Sequence, residues 1–226
     1  MAAVRQRKRE MVEGLIAMHL ARYKAAGAEP VMGEAKFTAP KTLDVRLYDG
    51  GGGRTLTAVR IFLNLGTHAS IPSVLGLRET GPLTNVDLLE LDRLPEHLIV
   101  IGGGYVGLEF AQAYRRFGSK VTVIHNGTQL LTGQDPDVAT EILQIFASEE
   151  IDVLTSSEIV SAQGRSGASV HLVVRTSSGG EKTIQASDIL VATGRTPNTA
   201  GIGLEIAGGQ RSGEFRACFA GRPSGR

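Results

Sequence analysis

His97-Leu-Ile-Val-Ile-Gly-Gly-Gly-Tyr-Val-Gly-Leu-Glu109, continuing through Phe110-Ala-Gln-Ala-Tyr-Arg-Arg-Phe-Gly118 to Ser119-Lys-Val-Thr-Val-Ile124, decides how the rest of this chain is read. Leu98–Ile101 is short and wholly apolar, the pattern of a strand buried on both faces. It opens into Gly102-x-Gly104-x-x-Gly107. Beyond the glycines, Val106, Phe110, Ala113, Tyr114 and Phe117 recur at helical spacing and define the expected apolar face. Gly118 supplies a left-handed stop, and Val121–Ile124 reads as a second buried strand.

A strand, a glycine turn, a helix and a strand make a dinucleotide-binding unit. The first glycine permits the tight turn, the second lets backbone approach a diphosphate, and the third lets helix and strand pack closely. Unpaired N–H groups at the positive end of the helix then meet the phosphates. The expected contacts are Gly102, Gly103, Gly104, Tyr105, Val106 and Gly107. A lone glycine pattern also occurs as a turn in unrelated α/β domains; the flanking strands and helix favour the nucleotide reading here.

Working outward, Val4–Ala26 reads as an amphipathic helix stopped by Gly27, with Val12, Leu15, Ile16, His19, Leu20 and Tyr23 on its apolar side. The basic run Arg5–Arg9 reads as a solvated face. Val31–Phe37, Thr42–Tyr48 and Thr55–Leu65 follow as β segments, the last two joined by the glycine-rich tip Asp49–Gly53. No helix follows those glycines, so the tip is a hairpin turn and not a phosphate loop. Arg60–Thr67 reads as an apolar strand, and Val86–Leu91 as a short helix. After the central unit, Asp135-Pro136 starts a helix whose buried face should be Val138, Ile142, Ile145 and Phe146. Ile151–Leu154 is a third strand, and Glu158–Gln163, Val170–Thr176 and Glu181–Ala186 form an antiparallel meander. Ile189–Gly194 is a further buried strand, and from Gly208 the sequence reads as a disordered or non-native tail.

Composition narrows the function classes. The 226 residues carry a net charge of +1, which gives no reason to invoke nucleic acid or an anionic membrane. No apolar run approaches the roughly 20 residues that cross a bilayer, and the start lacks a signal-peptide core, so a cytoplasmic location is expected. Cys218 is the single cysteine, so no disulfide can form within the chain. No cluster of metal-ligand spacing appears.

In this order the pieces resemble the pyridine nucleotide-disulfide oxidoreductases, the family of mercuric reductase, dihydrolipoamide dehydrogenase and glutathione reductase. Leu63-Asn-Leu-Gly66-Thr67 with Ile71-Pro72 resembles the first Ala-Thr-Gly-type strand end. Ile101–Glu109 resembles the NAD(P) motif, the meander the β crossover, and Ala192-Thr-Gly-Arg-Thr-Pro-Asn198 the second Ala-Thr-Gly motif with its extension. The resemblance implies an α/β fold: a Rossmann-like NAD(P)-binding domain over 95–207, with a parallel sheet and a β-meander crossover. It implies that residues 1–94 are the rear half of an FAD-binding domain, followed by the tail at 208–226. By the same resemblance Tyr105 would gate the nicotinamide pocket, Glu109 would sit beside the carboxamide and Gly194 would approach the nicotinamide side. Ile159 would offer backbone to the adenine, while Ala35, Gly66 and Thr67 would contact FAD. The implied activity is hydride transfer from NAD(P)H to FAD, in a family that forms homodimers.

Departures from the family pattern matter as much. The FAD-side glycine fingerprint, the Cys-x-x-x-x-Cys pair, the Gly-Asp motif and the C-terminal interface domain have no counterpart in this sequence. The chain is therefore expected to be an internal fragment with no catalytic residue of its own, doubtful in FAD binding. A catalytically silent NAD(P)-binding module and a regulatory NAD(P) sensor are the competing expectations. His125 stands where an acidic residue would hold a ribose 2′-hydroxyl. It brings no carboxylate against a 2′-phosphate, and NAD and NADP both stay open.

Overall fold

The computed structural model describes the backbone of residues 1–211 and 217–219. The elements run α1 (Ala2–Ala25), β1 (Gly33–Ala39), β2 (Thr42–Leu47), β3 (Gly53–Thr57), β4 (Thr67–Ala69), α2 (Asn85–Glu90), β5 (His97–Ile101), α3 (Tyr105–Phe117) and β6 (Lys120–Ile124). Then follow α4 (Pro136–Ser148), β7 (Asp152–Leu154), β8 (Glu158–Arg165), β9 (Ser169–Arg175), β10 (Glu181–Ala186), β11 (Asp188–Val191), β12 (Arg195–Pro197), β13 (Gly209–Arg211) and β14 (Ala217–Phe219). They divide into two compact units, Met1–Glu10 with Ala69–Thr196, and Met11–His68 with Pro197–Arg226. This partition differs from a boundary at 94/95. Leu77 and Leu88 are fully buried in the cores on either face of the β5 sheet, which ties the segment before β5 to that unit.

In the first unit four parallel strands stand in the order β11-β5-β6-β7. Every residue from Leu98 to Ile101 is buried, and alternate side chains go to opposite faces. Leu98, Val100, Val121, Val123 and Leu190 pack with Leu108, Ala111 and Tyr114 of α3 and Phe146 of α4. Ile99, Ile101, Ile124, Ile189 and Val191 pack against Val170, Leu172 and Val174 of the antiparallel β10-β9-β8 meander. A sheet covered by helices on one side and by a meander on the other explains the unbroken apolar runs.

Asp188 opens β11 fully buried, and Arg93 holds both its oxygens, at 2.9 and 2.5 Å. The basic run of α1 is less solvated than expected. Arg5 pairs with Asp92 at 3.1 Å, Arg9 with Glu90 at 2.6 Å, and Lys8 also with Glu90.

Two helix faces are rotated from the expected ones. On α3 the buried positions are Gly107, Leu108, Ala111 and Tyr114, while Phe117 is exposed. A Cβ at Gly107 would collide with the Gly102 carbonyl and crowd Val100 and Ala192, so the bare glycine sets the contact line of the helix. On α4 the buried residues are Ala139 and Phe146, with Ile142 and Leu143 packed beside them; Val138 and Ile145 are exposed.

In the second unit β1, β2 and β3 form an antiparallel meander, with the Asp49–Gly53 tip joining β2 to β3 as expected. The apolar stretch at 58–66 forms no strand, and Val59 and Phe62 are 83% and 89% exposed. Hydrophobicity alone does not make a ladder: the Ala58 N–H donates to the Lys41 carbonyl at 3.2 Å and the Leu65 and Gly66 carbonyls accept from Asn198, but among the described residues these isolated bonds do not extend into a strand pairing. Helix α1 buries none of its residues, contrary to an amphipathic reading. In the stretch read as tail, Gly209–Arg211 pairs antiparallel with Ala217–Phe219. The Cys218 side chain and residues 212–216 and 220–226 lie outside the described residues.

Candidate functional site

The carboxyl ends of β5 and β11 lie on adjacent parallel strands: β5 leads through α3 to β6 on one side, and β11, the last strand to join the sheet, lies on the other, at the end of the sheet where open α/β folds bind ligands. At the end of β5 Gly102 takes φ +115, and its N–H donates to the Ile124 carbonyl at 2.9 Å. A Cβ there would strike the Ala192 carbonyl, so only glycine turns the chain at this point. Gly104 is the N-cap of α3 and supplies no side-chain cap. Its Cβ position meets nothing within 4 Å, leaving the positive end of the helix open to an incoming anion.

Two cavities flank this turn. The larger, of about 700 Å³, lies on the β6 side and is lined by the three glycines, His125, Thr132, Glu158 and Ile159 among others. The smaller, of about 190 Å³, lies on the β11 side between Asn85, Tyr105, Val106 and Arg195. Gly104, Ala192 and Gly194 line both. Gly194 takes φ +137, and its carbonyl accepts the Ser70 N–H at 3.0 Å. Thr193 and Thr196 bond Ser70 as well, at 3.0 and 2.5 Å, and so fix the rim.

His125 follows β6 and lies against the turn. The Gly103 N–H donates to its Nδ1 at 3.2 Å, and its Nε2 lies 3.4 Å from the Thr132 hydroxyl. The imidazole is half-buried, and burial pushes its pKa below the ordinary histidine value, offset only in part by a bond to the Gln129 backbone. The ring is thus a neutral acceptor toward the loop.

The structure brings Gly102, Gly103, Gly104, His125, Ile159 and Gly194 together around the larger cavity, and Tyr105 and Val106 onto the smaller. Gly107 sits behind them as the packing glycine. Glu109 is exposed one turn along α3 from Tyr105 and lines neither cavity. Ala35, Gly66 and Thr67 belong to the second unit: Ala35 is exposed in β1, and Gly66 occupies a turn with φ +66. There the Asn198 amide donates to the Leu65 carbonyl at 2.9 Å, the Asn198 N–H donates to the Gly66 carbonyl at 3.1 Å, and His68 Nδ1 lies 2.6 Å from Asn198 Oδ1. Sequence reasoning missed Ser70, Thr132 and Glu158 as lining residues; each comes from a loop or strand end that only the tertiary pairing brings to the turn.

The family profile described as pyridine nucleotide-disulphide oxidoreductase matches residues 7–214. The chain belongs to this family. Mercuric reductase of Streptomyces lividans is 37% identical over 182 residues, which are 80% of this chain and 38% of that protein. Dihydrolipoamide dehydrogenase of Chaetomium thermophilum is 33% identical over 203 residues, 89% of this chain and 40% of that protein. Among solved structures, the HOCl-induced flavoprotein disulfide reductase RclA from Escherichia coli superposes with a TM-score of 0.81 at 27% identity, covering 96% of this chain and 48% of that one. The chain therefore spans less than half the length of these relatives. Among the described residues, no helix is long and apolar enough to cross a membrane, and no group of three or more His, Cys, Asp or Glu side chains could hold a metal ion.

Proposed function

We propose that this chain binds a nicotinamide dinucleotide across the glycine turn and serves the NAD(P)H side of a flavin-dependent oxidoreductase. The observation that carries this reading is the pair of cavities meeting at Gly104 and Gly194, on the carboxyl ends of β5 and β11. A diphosphate at the uncapped start of α3 puts one nucleoside into each cavity. The adenosine half takes the larger, beside His125 and Ile159, and the nicotinamide half takes the smaller, beside Tyr105. No carboxylate occupies position 125, so both NAD and NADP are accommodated.

When bound, the nicotinamide supplies the hydride, and the acceptor proposed from the family is FAD. The chain's part is to bind and orient. Gly104 admits the diphosphate, the Ser70–Thr193–Thr196 cluster holds the rim, and Tyr105, 60% exposed, is free to swing aside from the nicotinamide cavity. Glu109 lines neither cavity, and its place beside the nicotinamide is supported by the family resemblance alone. Ala35, Gly66 and Thr67 would face the flavin, but they do not make a flavin cradle. Among the described residues the second unit has no glycine turn at a strand–helix junction to hold a second diphosphate.

Isothermal titration of the purified chain with NAD⁺ and NADP⁺ tests the reading. Saturable binding of at least one is expected, and its absence for both overturns the assignment.

A further inference from the structure

One contact at the turn goes beyond the binding of a dinucleotide and rests on that reading. The imidazole of His125 sits in a slot between two glycines. A Cβ on Gly103 would come within 2.8 Å of its Cγ, and one on Gly127 within 2.6 Å of its Nε2. Within that slot Nδ1 takes the Gly103 N–H, which lies between the strand glycine and the helix-capping glycine of the fingerprint. One of the loop's amides is therefore committed to a side chain, and the diphosphate must be met by those from Gly104 onward.

We propose that His125 is a positioning residue that locks the glycine turn through the Gly103 N–H, and that its neutral form is the one competent to bind nucleotide. A proton arriving from solvent on Nδ1 sets two donors against each other, so the Gly103 N–H loses its acceptor and the turn is released. Little nearby charge opposes this release. Glu158 of β8 is the titratable neighbour lining the same cavity, and its carboxylate pairs with Arg175 at 3.6 Å. The other groups facing the ring are uncharged: Gly103 of the turn, and Gly127, the Gln129 backbone and Thr132 of the segment after β6; the Leu154 carbonyl of β7 accepts the backbone N–H of His125 at 2.8 Å.

Calorimetric titration with NAD⁺, which has no group of its own titrating in this range, tests the lock at about pH 8 and about pH 5.5. For the wild-type chain Kd is expected to rise about fivefold or more on acidification. His125→Asn offers a carbonyl oxygen to the same N–H and cannot titrate there; it is expected to keep the affinity found at high pH and to give a flat profile. His125→Ala is expected to bind weakly at both pH values, and Gly127→Ala, whose new methyl displaces the ring, to weaken binding at high pH. In the ligand-free wild-type chain labelled with ¹⁵N-glycine, the amide resonance assigned to Gly103 moves with the imidazole titration, further than that of Gly127 on the other side of the ring, and that movement is absent in His125→Asn.

A flat wild-type profile, or a titrating one in His125→Asn, overturns the lock while leaving nucleotide binding intact. Binding of NADP⁺ that tightens in acid while NAD⁺ does not change also overturns it, by making His125 a cation for the 2′-phosphate. Absence of binding at every pH defeats the functional reading itself, and the glycine resonance still decides whether the contact exists.

Discussion

Both units contain apolar segments, yet they use them differently. In the unit around β5 the strand residues Leu98–Ile101, Val121–Ile124 and Ile189–Val191 are all buried, with helices on one face and the meander on the other. In the unit around β1–β3 the buried apolar side chains among the described residues are Phe37, Val45 and Leu204, while Met32, Tyr48, Val59 and Phe62 are all at least 64% exposed. An apolar residue stabilises only the element that finds a second layer. The glycine turn lies in the unit whose layers are complete, which is where a loop can be held to the tolerance that a diphosphate requires.

The same substitution in each unit gives the largest contrast. Phe146→Ala empties a site that is 3% exposed and is expected to cost about 3–5 kcal/mol. Phe62→Ala removes a ring that is 89% exposed and is expected to change stability by no more than about 0.5 kcal/mol. Urea denaturation of the two variants measures both, and equal losses would dissolve the distinction between the units.

A second pairing concerns charge. Arg93→Ala leaves Asp188 buried with only the Ser187 hydroxyl beside it at 2.9 Å, and a loss of about 2–3 kcal/mol is expected. The figure sits at or below the low end for buried pairs because Arg93 itself is 41% exposed. In the other unit Arg54 pairs with Glu29 at 2.7 Å on the surface, and Arg54→Ala should leave the denaturation midpoint where it is.

Gly104→Val separates binding from folding. The Cβ site is open and φ is −90, so a branched residue fits the backbone and the fold is expected to hold. The valine side chain occupies the path of the diphosphate, and NAD(P)H affinity should fall beyond detection in a fluorescence titration. Retained affinity would remove the turn from the binding site.

How much of this was legible follows from the same contrast. The strands of the parallel sheet show in the sequence because burial on both faces leaves no polar alternation. The glycine turn shows because Gly102 needs a positive φ and Gly107 needs the absence of a Cβ. The contact face of α3 was misread by about one residue, since counting apolar side chains ignores that Gly107, with no side chain, makes the closest approach. The stretch 58–66 was misread as a strand because composition says nothing of a partner. His125 was marked by its position after β6, but its bond to Gly103 was not, because the register of β6 against the turn is a tertiary fact. Ser70 carried no local signal at all; it comes to the rim through bonds to residues more than a hundred positions away.

The smallest expected effect is a pH dependence, and it too should belong to one unit. His97 lies in a cross-strand bridge, with Nδ1–H donating to the Gln185 carbonyl at 2.9 Å and Nε2 2.9 Å from the Thr122 hydroxyl. Burial lowers its pKa, as it does that of His125, and both belong to the β5 unit. The unfolded chain takes up these protons near the ordinary histidine value of about 6.5, before the folded chain does. Stability is therefore complete above that value and falls as pH drops through it toward the lowered folded values. The surface glutamates Glu29, Glu34, Glu90 and Glu149, whose pKa values are depressed by bonds to arginine or lysine, act in a separate window, at and below the ordinary carboxylate range of about 4.3. Urea midpoints at about pH 7.5 and about pH 5.5 thus isolate the histidines. The wild-type midpoint is expected to drop between the two. His97→Gln, which cannot titrate, should drop less, and an equal drop in that variant would move the acid sensitivity away from the β5 sheet.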